Sequence, residues 1–250
     1  MRDSIPRMDD WSSPPAESAP PERELFAVLV DLRAARKRLP ELTAAFSERE
    51  RERAVQFATD EWRERWAAAR GTLREVLGRA MGVSPGEVRL RYGAHGKPEL
   101  DTQSGRGARE LRFNISHSGD RALIALARVE VGADVEHRKP RRTDDIARRF
   151  FAPGEQQRLF EFAGEERERA FFRLWTCKEA FLKATGEGLS RSTRSYEIEL
   201  DGSSARLLWA TGLPDAARRY SVFPLDPGNG YAAALVAEAQ GLTLRRFRWP

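Results

Sequence analysis

Apolar positions along the chain switch between the two-residue alternation of strands and the three-and-four spacing of helices. Phe26 to Leu32 is a nearly continuous apolar run and predicts a first strand. From Ser47 to Ala80 the spacing turns helical, with Phe57, Trp62, Trp66, Leu73, Val76 and Leu77 as core positions of one or two amphipathic helices. Ser47 followed three residues later by Glu50 is a capping-box signature. Val88 to Tyr92 predicts a strand, and the glycines and proline of Gly93-Ala94-His95-Gly96-Lys97-Pro98 predict a turn. Leu111 to Ile115 reads as short and extended, and Ala122 to Ala127 with Val131 to Glu136 as two strands around a tight connection.

Beyond that point the pattern predicts helices over Asp144 to Phe151, Gly154 to Phe162 and Arg167 to Thr185. Gly186 and Gly188 suit the left-handed position that ends the last of them. Returning strands are predicted at Tyr196 to Leu200, Ala205 to Trp209, Tyr220 to Phe223 and Tyr231 to Val236. Helix and strand thus recur in similar proportion on both sides of residues 125 to 135, which fits an α+β chain of two related halves meeting at a cleft there. The halves are expected at residues 25–128 and 129–250.

At 250 residues, 40% hydrophobic, the chain has enough apolar surface to bury a full core. No run of 18 apolar residues occurs, so no membrane-spanning helix is expected. Met1 to Pro21 carries three aspartates and five prolines but no apolar h-region, so residues 1–24 read as a disordered tail on a cytoplasmic protein rather than a secretory signal. Cys177 is the only cysteine, which excludes an internal disulfide and a cysteine zinc cluster. Arginine and lysine exceed the acids by 43 to 38, with basic runs at Arg138-Lys139-Pro140-Arg141-Arg142 and Arg245-Arg246. That balance suits an anionic partner; each run alone is equally a solvated arginine-rich face.

Candidate chemistry gathers in three places. Asp134 and Glu136 lie two apart in an alternating run, so a strand turns both carboxylates to one face. On a half-exposed strand such a pair is an ordinary surface feature; buried among apolar neighbours it needs a cation. Glu179 and Lys183 lie four apart at the border of a helical stripe made by Phe171, Leu174, Trp175 and Leu182, where they can pair on a solvated face or reach a cleft. Phe113-Asn114-Ile115-Ser116-His117-Ser118-Gly119 places an amide, hydroxyls and an imidazole at a strand-to-loop transition, either a loop or a set of phosphate donors. Three carboxylates and a lysine are the makings of a magnesium-dependent phosphate site, since magnesium takes oxygen ligands and shares them with substrate phosphates.

The chain resembles the 4′-phosphopantetheinyl transferases of the larger, broad-specificity, surfactin-synthetase-activating type. The resemblance rests on Ser47-Glu48-Arg49-Glu50-Arg51-Glu52-Arg53-Ala54-Val55-Gln56-Phe57, Gly96-Lys97-Pro98, Phe113 to Ser118, Gly132 to Glu136, Arg149-Phe150-Phe151 and Trp175 to Lys183, in the family's order. It implies a pseudo-twofold monomer of two similar α+β halves, each a small antiparallel sheet packed with helices, with coenzyme A in the cleft. It further implies Asp134, Glu136 and Glu179 as magnesium ligands and Lys183 as the lysine that contacts phosphate and orients the acid. Ser116, His117 and Arg53 would hold the 3′-phosphate end of coenzyme A, while Lys97 and Arg65, or Arg63 in a slipped register, would reach the nucleotide and its phosphates. Gln56 and Glu50 depart from the pattern, Glu50 standing where some members place a phosphate-binding lysine.

The activity implied is attack by a carrier-protein serine on the β-phosphate of coenzyme A, expelling adenosine 3′,5′-bisphosphate. Glu179 or a water held by the metal near Asp134 would take the serine proton. The partner would be an acyl or peptidyl carrier protein whose acidic helix meets the arginine-rich face. A non-catalytic coenzyme A-binding or carrier-docking module is the alternative, and it would not need the three acids. Nucleic acid is not expected, since no helix-turn-helix, zinc-finger or RNA-recognition signature accompanies the arginines.

Overall fold

Two sheets placed back to back, each covered on its outer face by one long helix, carry the chain. The computed structural model describes residues 11–15, 19–93, 96–101, 110–139, 141–188, 191–228 and 230–250. The first half runs β1 (Glu24–Asp31), α1 (Leu32–Arg36), α2 (Leu39–Ala44), α3 (Glu48–Val55), α4 (Asp60–Met81), β2 (Leu90–Tyr92), β3 (Pro98–Leu100), β4 (Arg112–Ser118) and β5 (Arg121–Ala127). The second runs β6 (Val131–His137), α5 (Thr143–Phe150), α6 (Pro153–Phe160), α7 (Gly164–Thr185), β7 (Tyr196–Asp201), β8 (Ser204–Ala210), α8 (Ala216–Arg219), β9 (Ser221–Leu225), β10 (Tyr231–Ala237) and β11 (Thr243–Trp249). His95 and Pro140, named in the predicted turn and basic run, lie outside the described residues.

Strand alternation builds the layers. On β1, Phe26, Val28 and Val30 pack with Leu73, Val76 and Leu77 of α4, while Leu25, Ala27 and Leu29 face the other way. There they meet Ala133 and Val135 of β6 and Ala233 and Leu235 of β10 in a core between the two sheets. The outer residues Ala232, Ala234 and Val236 of β10 pack with Phe171, Phe172, Cys177 and Phe181 of α7. Both faces of each sheet are therefore apolar, which explains the near-continuous hydrophobic runs of β1, β5 and β10.

The second sheet has the order β6-β10-β9-β8-β7, antiparallel throughout. The first has the order β11-β1-β5-β4, and here the structure departs from the expected antiparallel sheet. Strand β11 returns from the far end of the chain to lie parallel to β1, with Phe247 edge-on to Phe26 at 4.9 Å. Its alternation is masked by Arg245, Arg246 and Arg248, so it reads from sequence as a solvated basic run. The boundary at residue 129 is crossed accordingly, because the last strand belongs to the first sheet.

The expected tail also begins to pack earlier than residue 25. Trp11 is buried in the core between the sheets, and Ser12 bridges to β11, its amide donating to Arg246 O at 3.1 Å and its carbonyl accepting from Arg248 at 2.8 Å. An indole that finds an apolar pocket beside an open strand edge orders the segment around it despite the flanking prolines. No helix of the described residues is long and apolar enough to cross a membrane.

Candidate functional site

The halves are stitched together where β4 runs beside β6, by the side chains that alternate along one face of β4. Asn114 Oδ1 accepts the Ala133 amide at 2.9 Å, Ser116 Oγ donates to Asp134 Oδ1 at 2.9 Å, and Ser118 Oγ donates to Glu136 Oε2 at 3.0 Å. The strand period thus continues through His117, turning that residue to the opposite face, toward α4. Tyr231 of β10 adds a further link, its hydroxyl accepting the Asp120 amide at 3.0 Å while its ring stacks on His137.

Helix α7 lies against β6 at a residue without a side chain. An ideal Cβ on Gly132 would stand 2.0 Å from the Ala180 carbonyl oxygen and 2.5 Å from the Ala184 amide. That close approach brings the last turns of α7 to Asp134. Lys183 Nζ donates to Asp134 Oδ1 at 2.6 Å and to Ser116 Oγ at 3.1 Å. Asp134 is buried, and its second oxygen, Oδ2, has no hydrogen-bond partner.

Glu136 and Glu179 complete the cluster electrostatically. Burial first, and the Asp134 charge next, push the Glu136 carboxyl above the ordinary carboxylate range, against the Ser118 hydrogen bond and Arg141 at 3.6 Å. Glu179 is pushed up for the same two reasons, with Glu136 adding to them and Lys183 opposing. Among the described residues no group of three or more such side chains is already gathered to hold a metal ion. The donor set nonetheless fits a hard cation: all oxygen, three carboxylates in one another's field, and one buried oxygen unpartnered.

Cations ring the α4 side. The His117 imidazole, exposed on this face, is held below its usual pKa, first by the protein packed around it and then by Lys183, Arg70 and Arg65. Arg70, on α4, is mostly buried between Trp66 and Tyr92, with Nη1 unpartnered and Nε 3.7 Å from Glu50 Oε1. Arg65 pairs with Asp120 and Glu61, each at 3.0 Å.

Sequence comparisons identify the family. Residues 33–129 match the family model described as 4'-phosphopantetheinyl transferase, N-terminal, and residues 130–236 the one described as 4'-phosphopantetheinyl transferase superfamily. The 4'-phosphopantetheinyl transferase HetI of Nostoc sp. is 37% identical over 205 residues, 81% of this chain and 83% of its own. The chain belongs to the 4′-phosphopantetheinyl transferases. A second transferase of the family, from Bacillus subtilis, is 30% identical over 216 residues, 86% of this chain and 92% of that one. The solved holo-(acyl-carrier-protein) synthase of Neisseria meningitidis overlaps 44% of this chain and 97% of its own, at 22% identity and a TM-score of 0.36.

Of the site residues expected in this transferase, Asp134, Lys183 and Ser116 are hydrogen-bonded together at the junction of the halves, with Glu136 and Glu179 in the field of Asp134. Ser116 is buried on Asp134 and Lys183 and does not share a face with His117. Arg53 is exposed and engaged locally, donating to Gln56 Oε1 at 2.9 Å and lying over Phe57. Lys97 turns its ammonium to the Lys183 carbonyl at 2.8 Å. Glu50 is buried: it caps α3 through Ser47 and pairs with Arg74 at 2.7 Å.

Sequence reasoning counted Asn114 and Ser118 among possible phosphate donors rather than as ties to β6, and it missed Arg70; the alternation Asn114, Ser116, Ser118 was a readable sign that three polar groups share a face. It also missed a fully buried ion pair beside Glu179. Lys178 Nζ donates to both Glu155 oxygens, at 2.8 and 2.7 Å, and to Tyr196 O at 3.1 Å; Glu155 in turn accepts the Ala152 and Ile198 amides. The pair ties α6, α7 and β7 together from within the core. Cys177 next to it is inert, its thiol pushed up to about 12 by burial.

Proposed function

We propose that this transferase moves the 4′-phosphopantetheine group of coenzyme A to a serine hydroxyl of an apo carrier protein in a magnesium-dependent reaction, releasing adenosine 3′,5′-bisphosphate. The observation that carries the reading is the convergence of Lys183 and Ser116 on Asp134, with Glu136 and Glu179 in its field, where the two halves join.

Asp134, Glu136 and Glu179 would hold the magnesium ion, which when bound would neutralise charge on the pyrophosphate. Lys183 supplies a positive charge beside the same acid, and Ser116 fixes Asp134 by hydrogen bonding to the oxygen that Lys183 also contacts. Glu179, four residues before Lys183 and in the field of Asp134 and Glu136, is the general base. It takes the proton of the carrier serine as that oxygen bonds to the β-phosphorus and the bond to the bisphosphate leaving group breaks. The chemistry asks mainly for positioning and charge compensation.

His117, Arg70 and Arg65 on the α4 side offer hydrogen bonds and positive charge for the nucleotide's 3′-phosphate, and exposed Arg53, held by Gln56, would add to them. The basic face that includes Arg138, Lys139, Arg141 and Arg142 follows directly on β6 and suits an acidic carrier helix. The enzyme is read as a cytoplasmic monomer. In the test, the chain is incubated with coenzyme A, magnesium and an apo carrier domain, and the carrier is weighed. A gain of one phosphopantetheine, abolished by Glu179→Ala, is expected; an unchanged carrier mass with the wild-type chain overturns the proposal.

A further inference from the structure

The last turn of α7 carries Lys183 and ends in backbone carbonyls that have no partner further along the helix. Thr185 closes over one of them, donating its hydroxyl to the Leu182 carbonyl at 3.1 Å. The Lys183 carbonyl is met from the other half of the molecule. Lys97, on the connection between β2 and β3, donates its ammonium to that oxygen at 2.8 Å. The same ammonium lies 3.4 Å from the Val131 carbonyl at the start of β6 and 3.6 Å from a Glu130 carboxylate oxygen.

An ammonium has three N–H groups, so these acceptors account for its donors. With its side chain only 18% exposed, Lys97 lies in the wall of a cavity that Glu130, Ala184 and Thr185 also line, its ammonium turned to the carbonyls. A cation there also complements the negative end of the α7 dipole. Lys97 therefore grips β6 one residue before Gly132, the point where α7 rests, and grips α7 at the residue whose side chain reaches Asp134.

We propose that Lys97 is a positioning residue of the transferase: it locks the Lys183 backbone to β6 and so sets Lys183 and, one turn back, Glu179 against Asp134. The inference rests on the functional reading above, and it assigns Lys97 to the catalytic helix instead of to the phosphates of coenzyme A. Removing Lys97 slows transfer and leaves coenzyme A binding in place. A misplacement of about 1 Å costs on the order of a hundredfold in rate, so a fall in kcat of about 10- to 100-fold is expected.

The test compares Lys97→Met, Lys183→Met and the double variant by steady-state transfer to an apo carrier, with coenzyme A affinity measured by calorimetry. Lys97→Met should lower kcat as stated while the Kd of coenzyme A changes by less than about twofold, and in the Lys183→Met background it should cost clearly less than in the wild type, the remainder acting through Glu179, since neighbours acting through one group are not additive. Lys97→Gln keeps a donor for the carbonyls and serves where the methionine variant unfolds; the same split is expected, smaller in size. Three results overturn the inference: a weakened coenzyme A affinity with kcat unchanged, equal losses in both backgrounds, or a Lys97→Met enzyme matching the wild type. A wild-type chain that transfers nothing overturns the functional reading itself, and so is distinguishable from each of these.

Discussion

Gly132→Ala tests whether the contact of α7 with β6 builds the site. The added methyl would start 2.0 Å from the Ala180 carbonyl oxygen and 2.5 Å from the Ala184 amide, both backbone atoms that cannot rotate away. Real Cβ contacts are essentially never under 3.0 Å, so the helix must back off from 2.0 Å by about 1 Å at Ala180. Overpacking of this kind costs about 1–3 kcal/mol of stability. The same displacement carries Glu179 and Lys183 from Asp134, and a 1 Å error in such geometry costs roughly a hundredfold in rate. His117 and Arg70 lie on the α4 side and do not depend on this contact, so the loss should fall on kcat and spare coenzyme A affinity. The assay is steady-state transfer together with thermal unfolding, with Ala133→Gly as the neighbour whose side chain faces the core between the sheets. A Gly132→Ala enzyme with kcat within about twofold of wild type and an unchanged Tm would show that α7 does not hold the site through this contact.

Glu179→Gln should abolish transfer yet raise the Tm by a few degrees without divalent cations, with magnesium narrowing the gap. The sign follows from a carboxyl whose folded pKa is raised: its stabilisation is complete below the unfolded pKa and is lost as pH rises through the folded one, so at neutral pH the ionised cluster strains the fold. A lower Tm in the variant would refute this. Lys178→Met leaves Glu155 buried without its cation and should cost about 3–5 kcal/mol in chemical denaturation, partly recovered by adding Glu155→Gln; no loss would contradict the tie between α6, α7 and β7. Glu50→Lys should destabilise the fold by a similar amount, about 3–5 kcal/mol, because it sets a third cation beside Arg70 and Arg74; tighter coenzyme A binding without a stability loss would show the residue facing the ligand instead. Raising salt should weaken carrier binding more than coenzyme A binding, measured as apparent affinities over an ionic-strength series.

Periodic elements were the readable part of this chain. Helix α7 from Arg167 onward, the glycine that ends it and the alternating β6 follow from local spacing, and so does the sharing of one face by Asp134 and Glu136, whereas the first turn of α7, from Gly164, was not read. The capping box at Ser47 and Glu50 was equally local, yet the second role of Glu50, its buried pairing with Arg74, depends on α4 folding back over α3. Strand β11 was hidden because its arginines obscure the alternation, and its partner β1 lies more than two hundred residues away. Lys97 shows the limit most clearly: a lysine beside a glycine and a proline advertises a charged loop, whereas its partners are backbone carbonyls that only the closed fold brings within 3.4 Å. Side-chain type announced the acids; which oxygen faces which cation was a property of packing.

The central claim is that acids from β6 and α7, held with Lys183 and, from the other half, Ser116, direct the phosphopantetheine of coenzyme A to a protein serine. One reaction tube decides it, by weighing an apo carrier domain and counting the nucleotide released beside it in the presence of magnesium. The account expects one adenosine 3′,5′-bisphosphate for each carrier that gains the arm. Release of the nucleotide with the carrier's mass unchanged would mean that water, not serine, accepts the group, and would contradict it.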